Sequence, residues 1–272
     1  MSDITPSRIE SSFTAVAEGL RKGGLRAPDC YVIDDGWTDY TAPKFWAFND
    51  KFADGFGAQS DLCKKLGSAF GVWFGPRGGY SAQTFGFAMR LTKLGYHVNP
   101  VSRDICTADP RYIRDLTDKM CEFCRLYDVR YFKIDGFAKR PCPCRRHGHP
   151  PASRDVIAFY TFLWEEWTKG LEKVYASCPD VCINITSYAH CSPWFLRYAD
   201  FVWMNNAADM GYSGSGDDLA MCLTYRDARY RDLFRTRGYR FPAARLYGHE
   251  PCYALLNRNT AKKQAAPVTF TD

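Results

Sequence analysis

The sequence predicts an α/β fold: a (β/α)8 barrel that lacks its first strand, with an open doubly wound sheet as the alternative. Three observations predict it. Short β-branched and aromatic runs alternate with amphipathic helical segments, the pattern of βαβ units whose parallel strands are covered on both faces. Seven such runs occur in 272 residues, and a barrel of this kind takes about 250 residues as one unit. No break in composition marks a second domain, so residues 1–255 are expected to form one barrel, incomplete at its N-terminus, followed by a polar C-terminal tail over 256–272.

Residues 5–24 read as a helix, with Thr5 suited to the N-cap, Pro6 to the first turn and Gly23-Gly24 to the stop. The buried strand 30–33 runs into Asp34-Asp35-Gly36-Trp37. Helix 58–68 leads to strand 70–74 and the loop Gly75-Pro76-Arg77-Gly78-Gly79-Tyr80. Helix 83–94 precedes a short strand over 97–101, and helix 109–126, announced by Asp109-Pro110, precedes strand 129–135. A long loop, 136–153, then leads to helix 154–176 and strand 181–185. A helical connection over 193–198, strand 200–204, helix 217–236 and strand 244–248 close the series. The chain opens on a helix, and a barrel without its first strand has two unpaired edges, so the sequence reads as part of a longer protein.

Composition excludes several classes. Apolar residues make up 46% and charged residues 24%, enough for a sizeable core and unlike a disordered chain. The net charge of +6 is mild, and only Lys139-Arg140 with Arg145-Arg146 approaches a basic cluster, so no nucleic-acid partner is expected. No apolar run reaches the ~18 residues of a membrane span. The N-terminus, MSDITPSRIESS, has no signal-peptide core, which predicts a cytoplasmic location. Twelve cysteines without an export signal predict reduced thiols rather than disulfides. No P-loop or strand–GxGxxG–helix occurs, and no cofactor is expected. Aromatic residues reach 16%, which suits both core packing and flat ligands such as sugar rings.

In a parallel barrel the chemistry gathers where strands end. Here those ends carry Asp34, Asp35 and Trp37; Trp73 and Arg77; Lys133 and Asp135; Asn205, Asn206 and Asp209; and His249 with Glu250. A lone buried carboxylate costs several kcal/mol, so each is paired, solvated in a pocket, or catalytic. For any single Asp a helix cap or loop contact is an equal reading; repetition over several strands favours a pocket. Lys133 and Asp135 are two apart and share a strand face, which sets a cation beside a carboxylate and favours its ionised, nucleophilic form. Adjacent Asp34 and Asp35 diverge. Carboxylates beside a Trp suit a sugar, and two on separate strand ends can supply the acid and nucleophile of glycoside hydrolysis.

The runs Tyr31-Val32-Ile33-Asp34-Asp35-Gly36-Trp37, Phe70-Gly71-Val72-Trp73-Phe74-Gly75-Pro76 and Tyr131-Phe132-Lys133-Ile134-Asp135 resemble successive strand motifs of α-galactosidases. The match is to glycoside hydrolase family 36 and its clan, which includes α-N-acetylgalactosaminidases, and runs in order over about residues 5–252. The resemblance implies a TIM barrel that cleaves terminal α-galactosides or α-N-acetylgalactosaminides with retention, through a glycosyl-aspartate on Asp135. It implies that Lys133, Asp34 and Asp35 hydrogen-bond the sugar and that Trp37 and Trp73 line its subsite. Cys191 and Arg197 fall where the family has a Cys and Gly-rich stretch ending in Arg. Here Cys-Ser-Pro-Trp-Phe-Leu-Arg lacks those glycines, and Trp194 is expected to fill the pocket at the sugar's 2-position. The family's W-x-S-D acid/base motif is Trp203-Met204-Asn205-Asn206 here. Asn206 cannot move a proton, so Asp209 is the expected acid/base, with Asp200 second. Trp203, Asn206, Arg77 and His249 are expected around the substrate, an oligosaccharide or glycoconjugate. The altered motif also supports an alternative: a barrel that binds sugars with weak turnover or none. The family's first strand, with an asparagine-tryptophan motif, and its β-sandwich domains have no counterpart in this sequence.

One loop remains. Pro141-Cys142-Pro143-Cys144-Arg145-Arg146-His147-Gly148-His149 concentrates zinc-ligand chemistry, but its spacing departs from the usual C-x2–4-C…H-x3–5-H. It reads first as an active-site loop with His147 or His149 at the leaving group. A structural metal on Cys142, Cys144, His147 and His149 is one alternative and an unligated surface another; a metal-dependent hydrolase using this loop is a separate reading of the chain.

Overall fold

The computed structural model describes residues 4–42, 44, 46–78, 85–136, 140–186, 193–204, 206–207 and 211–248, with backbone alone at 85, 218 and 219. The chain divides into two compact units: Met1–Tyr188 with Arg197–Asp200, and Ala189–Leu196 with Phe201–Asp272.

In the first unit, α1 (Pro6–Lys22) is capped by Thr5, whose hydroxyl accepts from Arg8 N at 3.3 Å. There follow β1 (Cys30–Ile33), a 3-10 turn (Asp50–Phe52), α2 (Gly57–Lys65), β2 (Ala69–Phe74) and α3 (Phe85–Lys93). Asp109 caps α4 (Pro110–Tyr127) by accepting from Arg111 N at 2.9 Å. Asp128, in the left-handed conformation at φ 50°, ends that helix and leads into β3 (Val129–Asp135). Asp155 caps α5 (Val156–Ser177), and β4 (Cys182–Thr186) completes the unit. Chain order equals sheet order, and every pairing is parallel: β1 on β2, β2 on β3, β3 on β4.

Register divides this sheet into two chemically distinct faces. Val72, Phe74, Phe132, Ile134, Ile183 and Ile185 share the face turned to the helices, as side chains of paired strands in register do. There Phe74 meets Phe123 of α4 at 5.5 Å, and Trp37 sits among Trp46, Phe48, Phe56, Phe74 and Phe123 with centroids 5.4–5.9 Å apart. The opposite face carries Gly71, Trp73, Tyr131, Lys133, Asp135, Asn184 and Thr186. Gly71 is there because a Cβ would lie 2.9 Å from Tyr131 Cβ and 3.0 Å from both Cys30 Sγ and Val32 Cγ2.

The second unit contains β5 (Phe201–Trp203) and β6 (Leu246–Tyr247), paired in parallel through Val202–Leu246 and Trp203–Tyr247. Between them, α6 (Asp218–Arg231) is capped by Asp217 and continues as a π-turn over Asp232–Thr236. A 3-10 turn, Pro193–Arg197, forms where a helical connection is expected.

Two expectations are corrected. Residues 97–101 form no strand: Asn99 Oδ1 accepts from Val101 N at 2.9 Å and Ser102 N at 3.1 Å, turning the chain, and only a single antiparallel bridge, Val98–Ile105, remains. The described residues therefore hold six parallel strands rather than seven, an α/β fold without the eight strands of a closed barrel. The tail over 256–272 lies outside the described residues. Among the described residues no helix is long and apolar enough to cross a membrane.

Because Trp37 is fully buried in the aromatic cluster, Trp37→Ala should lower unfolding stability by about 3–5 kcal/mol. The exposed control Val16→Ala should change it by less than about 0.5 kcal/mol. Urea titration of the full chain, followed by tryptophan fluorescence and circular dichroism, reads both.

Candidate active site

The polar face of the first sheet gathers its functional groups at the C-terminal ends of β1–β3. Trp73 and Lys133 are register partners, and Lys133 in turn is the partner of Asn184. The Lys133 ammonium donates to Asp34 Oδ2 at 2.6 Å, the carboxylate being half exposed and the ammonium largely buried. The Trp73 indole N–H donates to Asp135 Oδ2 at 3.4 Å. Asp135 is 3% exposed and Asp35 1%, burial that an ionised carboxylate tolerates only with hydrogen-bonding partners. For Asp35 the Tyr40 hydroxyl donates to Oδ1 at 2.7 Å. Burial, and then the adjacent Asp35 carboxylate, push the Tyr40 phenol well above its ordinary range, so it remains a donor across working pH. Asn184 Nδ2 donates to the Tyr131 hydroxyl at 2.7 Å.

Asp34, Asp35, Trp73, Lys133 and Asp135 thus lie at neighbouring strand ends in one unit. The Lys133 ammonium pairs with Asp34, and an indole N–H meets Asp135. Alternation of side chains along β4 brings Asn184 and Thr186 to the same polar face; the period-two pattern Asn184-x-Thr186 was the signal for them in the sequence.

Other expected residues stand elsewhere. Trp37 is packed in the helix-side core and is no subsite wall, because Gly36, at φ 131°, swings the chain back beneath β2; its indole N–H donates to Trp73 O at 3.2 Å. Arg77 turns away to an ion pair with Asp104 at 2.9 Å, with only 6% of its side chain exposed. Arg197 lies 3.8 Å from Glu172 near the C-terminal end of α5, level with the start of β4 rather than its end, and is 77% exposed. Asp200, the second acid candidate, is fixed at that same start by Tyr175 Oη and Ile183 N, each at 2.8 Å. In the second unit, Asn206 Nδ2 donates to Arg229 O at 2.8 Å and Asp232 Oδ2 at 3.0 Å, which makes it a tie to the end of α6. Trp194, partly exposed, packs edge-on against Phe195, and Trp203 ends β5. Cys191, Asn205, Asp209, His249 and Glu250 lie outside the described residues.

The Cys/His loop is corrected in its membership. Cys106, in the turn before α4, joins Cys142, His147 and His149, and one donor atom from each lies within 4.8 Å of all the others. Cys106 Sγ is 3.1 Å from His149 Nε2, and Cys142 Sγ is 3.3 Å from His147 Nδ1. Cys144 stays outside the group. Both histidines are buried against these sulfurs rather than turned to a leaving group. No sequence spacing announced Cys106, which stands 43 residues before His149.

No protein-family model matches the sequence, and no curated protein matches it. Among solved structures, the α-galactosidase from Lactobacillus brevis matches 91% of this chain at 17% identity with a TM-score of 0.58, the chain covering 32% of that protein. A family 36 α-galactosidase from Geobacillus stearothermophilus in complex with 1-deoxygalactonojirimycin matches 91% of the chain at 13% identity and TM-score 0.58, over 33% of its own length. The α-L-fucosidase isoenzyme 2 from Paenibacillus thiaminolyticus matches 78% at 12% identity and TM-score 0.51, over 35% of its length. The chain spans about a third of the length of these structures. What it shares with them is the fold.

Tyr40→Phe removes the phenolic donor from a buried carboxylate while keeping the ring. It should lower stability by about 1.5–3 kcal/mol, read as a shift in urea midpoint. An unchanged midpoint would show that the bond to Asp35 contributes nothing.

Proposed function

We propose that this chain is a retaining α-glycosidase acting on terminal α-galactosides or α-N-acetylgalactosaminides. The observation that carries the reading is the meeting of Asp34, Lys133, Trp73 and Asp135 at adjacent ends of parallel strands, through contacts of 2.6 and 3.4 Å. A fold shared with α-galactosidases supports it.

Asp135 attacks the anomeric carbon, the glycosidic bond breaks, and a second carboxyl protonates the leaving oxygen. Asp209 is assigned that proton. Water then enters with Asp209 as base, displaces Asp135 and releases the sugar with its anomeric configuration retained. The Trp73 N–H orients the attacking carboxylate. Lys133 donates to sugar hydroxyls and Asp34 accepts from them, and their mutual ion pair fixes both before substrate arrives, which lowers the ordering cost at the reacting geometry. Lys133 and Asp34 therefore act on ground state and transition state alike, whereas Asp135 acts in the chemical step.

A second reading, sugar binding without turnover, is favoured by Trp203-Met204-Asn205-Asn206, where the resembling family carries an aspartate. Both readings are tested on the full chain with an aryl α-galactoside and an aryl α-N-acetylgalactosaminide, alongside calorimetric binding of a galactose-configured iminosugar. Asp135→Asn should lower kcat/KM by about 1,000-fold or more while binding persists. Asp34→Asn should act mainly on KM. Iminosugar binding with no hydrolysis by the native chain would favour the second reading; neither binding nor hydrolysis would remove both.

A further inference from the structure

Outside the strand-end site, the cluster of Cys106, Cys142, His147 and His149 joins two loops of the first unit. We propose that these four side chains form a structural zinc site that staples the loop after β3 to the turn before α4.

Geometry comes first. A tetrahedral ion with bonds of about 2.3 Å to sulfur and about 2.0–2.1 Å to nitrogen holds its donor atoms about 3.4–3.8 Å apart. The two S···N separations here are 3.1 and 3.3 Å, and no pair among the four donor atoms exceeds 4.8 Å. Two independent S–H···N contacts would satisfy all four groups without bringing the pairs together; convergence of both pairs on one point is what an ion requires. Beside Cys106 and Cys142 lies a cavity of about 10 Å³, also lined by Arg77, Asp104 and Arg140. His147 and His149 do not line it, so it adjoins the cluster rather than holding the ion.

The surroundings prepare the ligands. His149 Nδ1 lies 2.9 Å from the Pro150 carbonyl, which can only accept, so this nitrogen carries the proton. The lone pair is thereby fixed on Nε2, the atom facing Cys106. Metal-binding histidines are oriented in this way by a carbonyl or carboxylate on the other nitrogen. The His149 ring is held edge-on by Phe159 at 5.1 Å, and His147 is stacked on His97 at 4.4 Å. Gly148, at φ 75°, makes the bend that lets both flanking histidines face the sulfurs. On the loop's far side, Ala152 N donates to Cys142 O at 2.9 Å.

Charge identifies the ion. Zn²⁺ displaces the two thiol protons, and two thiolates with two neutral imidazoles leave a centre of zero net charge, which can be buried at little cost. Two sulfur and two nitrogen donors select zinc over hard, oxygen-seeking cations. All four positions come from protein, so the site is closed and structural rather than catalytic.

The full chain, purified from zinc-supplemented medium and dialysed without chelator, should hold about one zinc per molecule by mass spectrometry of the elements. Cys106→Ser should lower that content at least tenfold, whereas Cys144→Ser should keep it. Should Cys106→Ser prove insoluble, cobalt exchanged into the native chain decides. Tetrahedral d–d bands with thiolate-to-cobalt charge transfer are the expected spectrum, and an octahedral spectrum overturns the site. Zinc-free native protein, a Cys106–Cys142 disulfide by thiol titration, or zinc lost with Cys144 but kept without Cys106 would each overturn it as well. None of these readouts involves sugar hydrolysis, so failure here leaves the assignment of Asp135 untouched.

Discussion

A strand inside a parallel sheet is covered on both faces, so any polar side chain it carries must be satisfied from neighbouring strands. This constraint organises the first unit. On one face β2, β3 and β4 supply Val72, Phe74, Phe132, Ile134, Ile183 and Ile185 to the helices. On the other, the row Trp73–Lys133–Asn184 leaves a cation and two hydrogen-bonding groups facing inward. The cation finds Asp34 on β1's exit, the indole finds Asp135, and the amide finds Tyr131. Groups that satisfy one another at the ends of strands are also the groups a hydroxyl-rich ligand could engage, so the stability and the chemistry of this face have a common origin.

Helix caps and apolar runs were readable because they are local. Thr5 and Asp109 each sit where a side-chain oxygen can reach the first turn's free N–H groups, and both helices start there. The shared strand face of Lys133 and Asp135 followed from period-two geometry, yet the partner of Lys133 did not, since Asp34 is 99 residues away in sequence. Trp37 was misplaced for a backbone reason: alternation carries a side chain to a face only while the chain stays extended, and Gly36 breaks that extension. Segment 97–101 resembled a strand by composition, but Asn99 binds its own following N–H groups and turns the chain. Cys106 was invisible for the opposite reason, since its relation to the Cys/His loop exists only in three dimensions.

The two clusters divide the loops of the first unit between them. Lys133 and Asp135 sit on the last turn of β3, and the loop that leaves β3 carries Cys142, His147 and His149. Its anchor, Cys106, lies just ahead of Asp109, which caps α4 and also accepts from His97 N at 3.1 Å. Trp167 of α5 donates to Thr107 O at 2.9 Å within the same turn. The segment before α4 is therefore held by a helix cap, an indole from the next helix and the sulfur–imidazole cluster. A loop held at both ends keeps the exit of β3 in place, and with it the carboxylate assigned to attack.

Gly71 carries a wider implication. Two neighbouring strands close on its side-chain hydrogen: Cys30 and Val32 from β1 and Tyr131 from β3 would all collide with a methyl group there. Positions 30, 32, 71 and 131 are consequently locked into one steric choice, and substitutions among them are expected to be inherited together in related chains. Tyr131, pressed against that hydrogen, carries the hydroxyl that receives Asn184. Enlarging residue 71 would thus be felt two strands away, as a lateral displacement of the amide rather than a simple loss of packing.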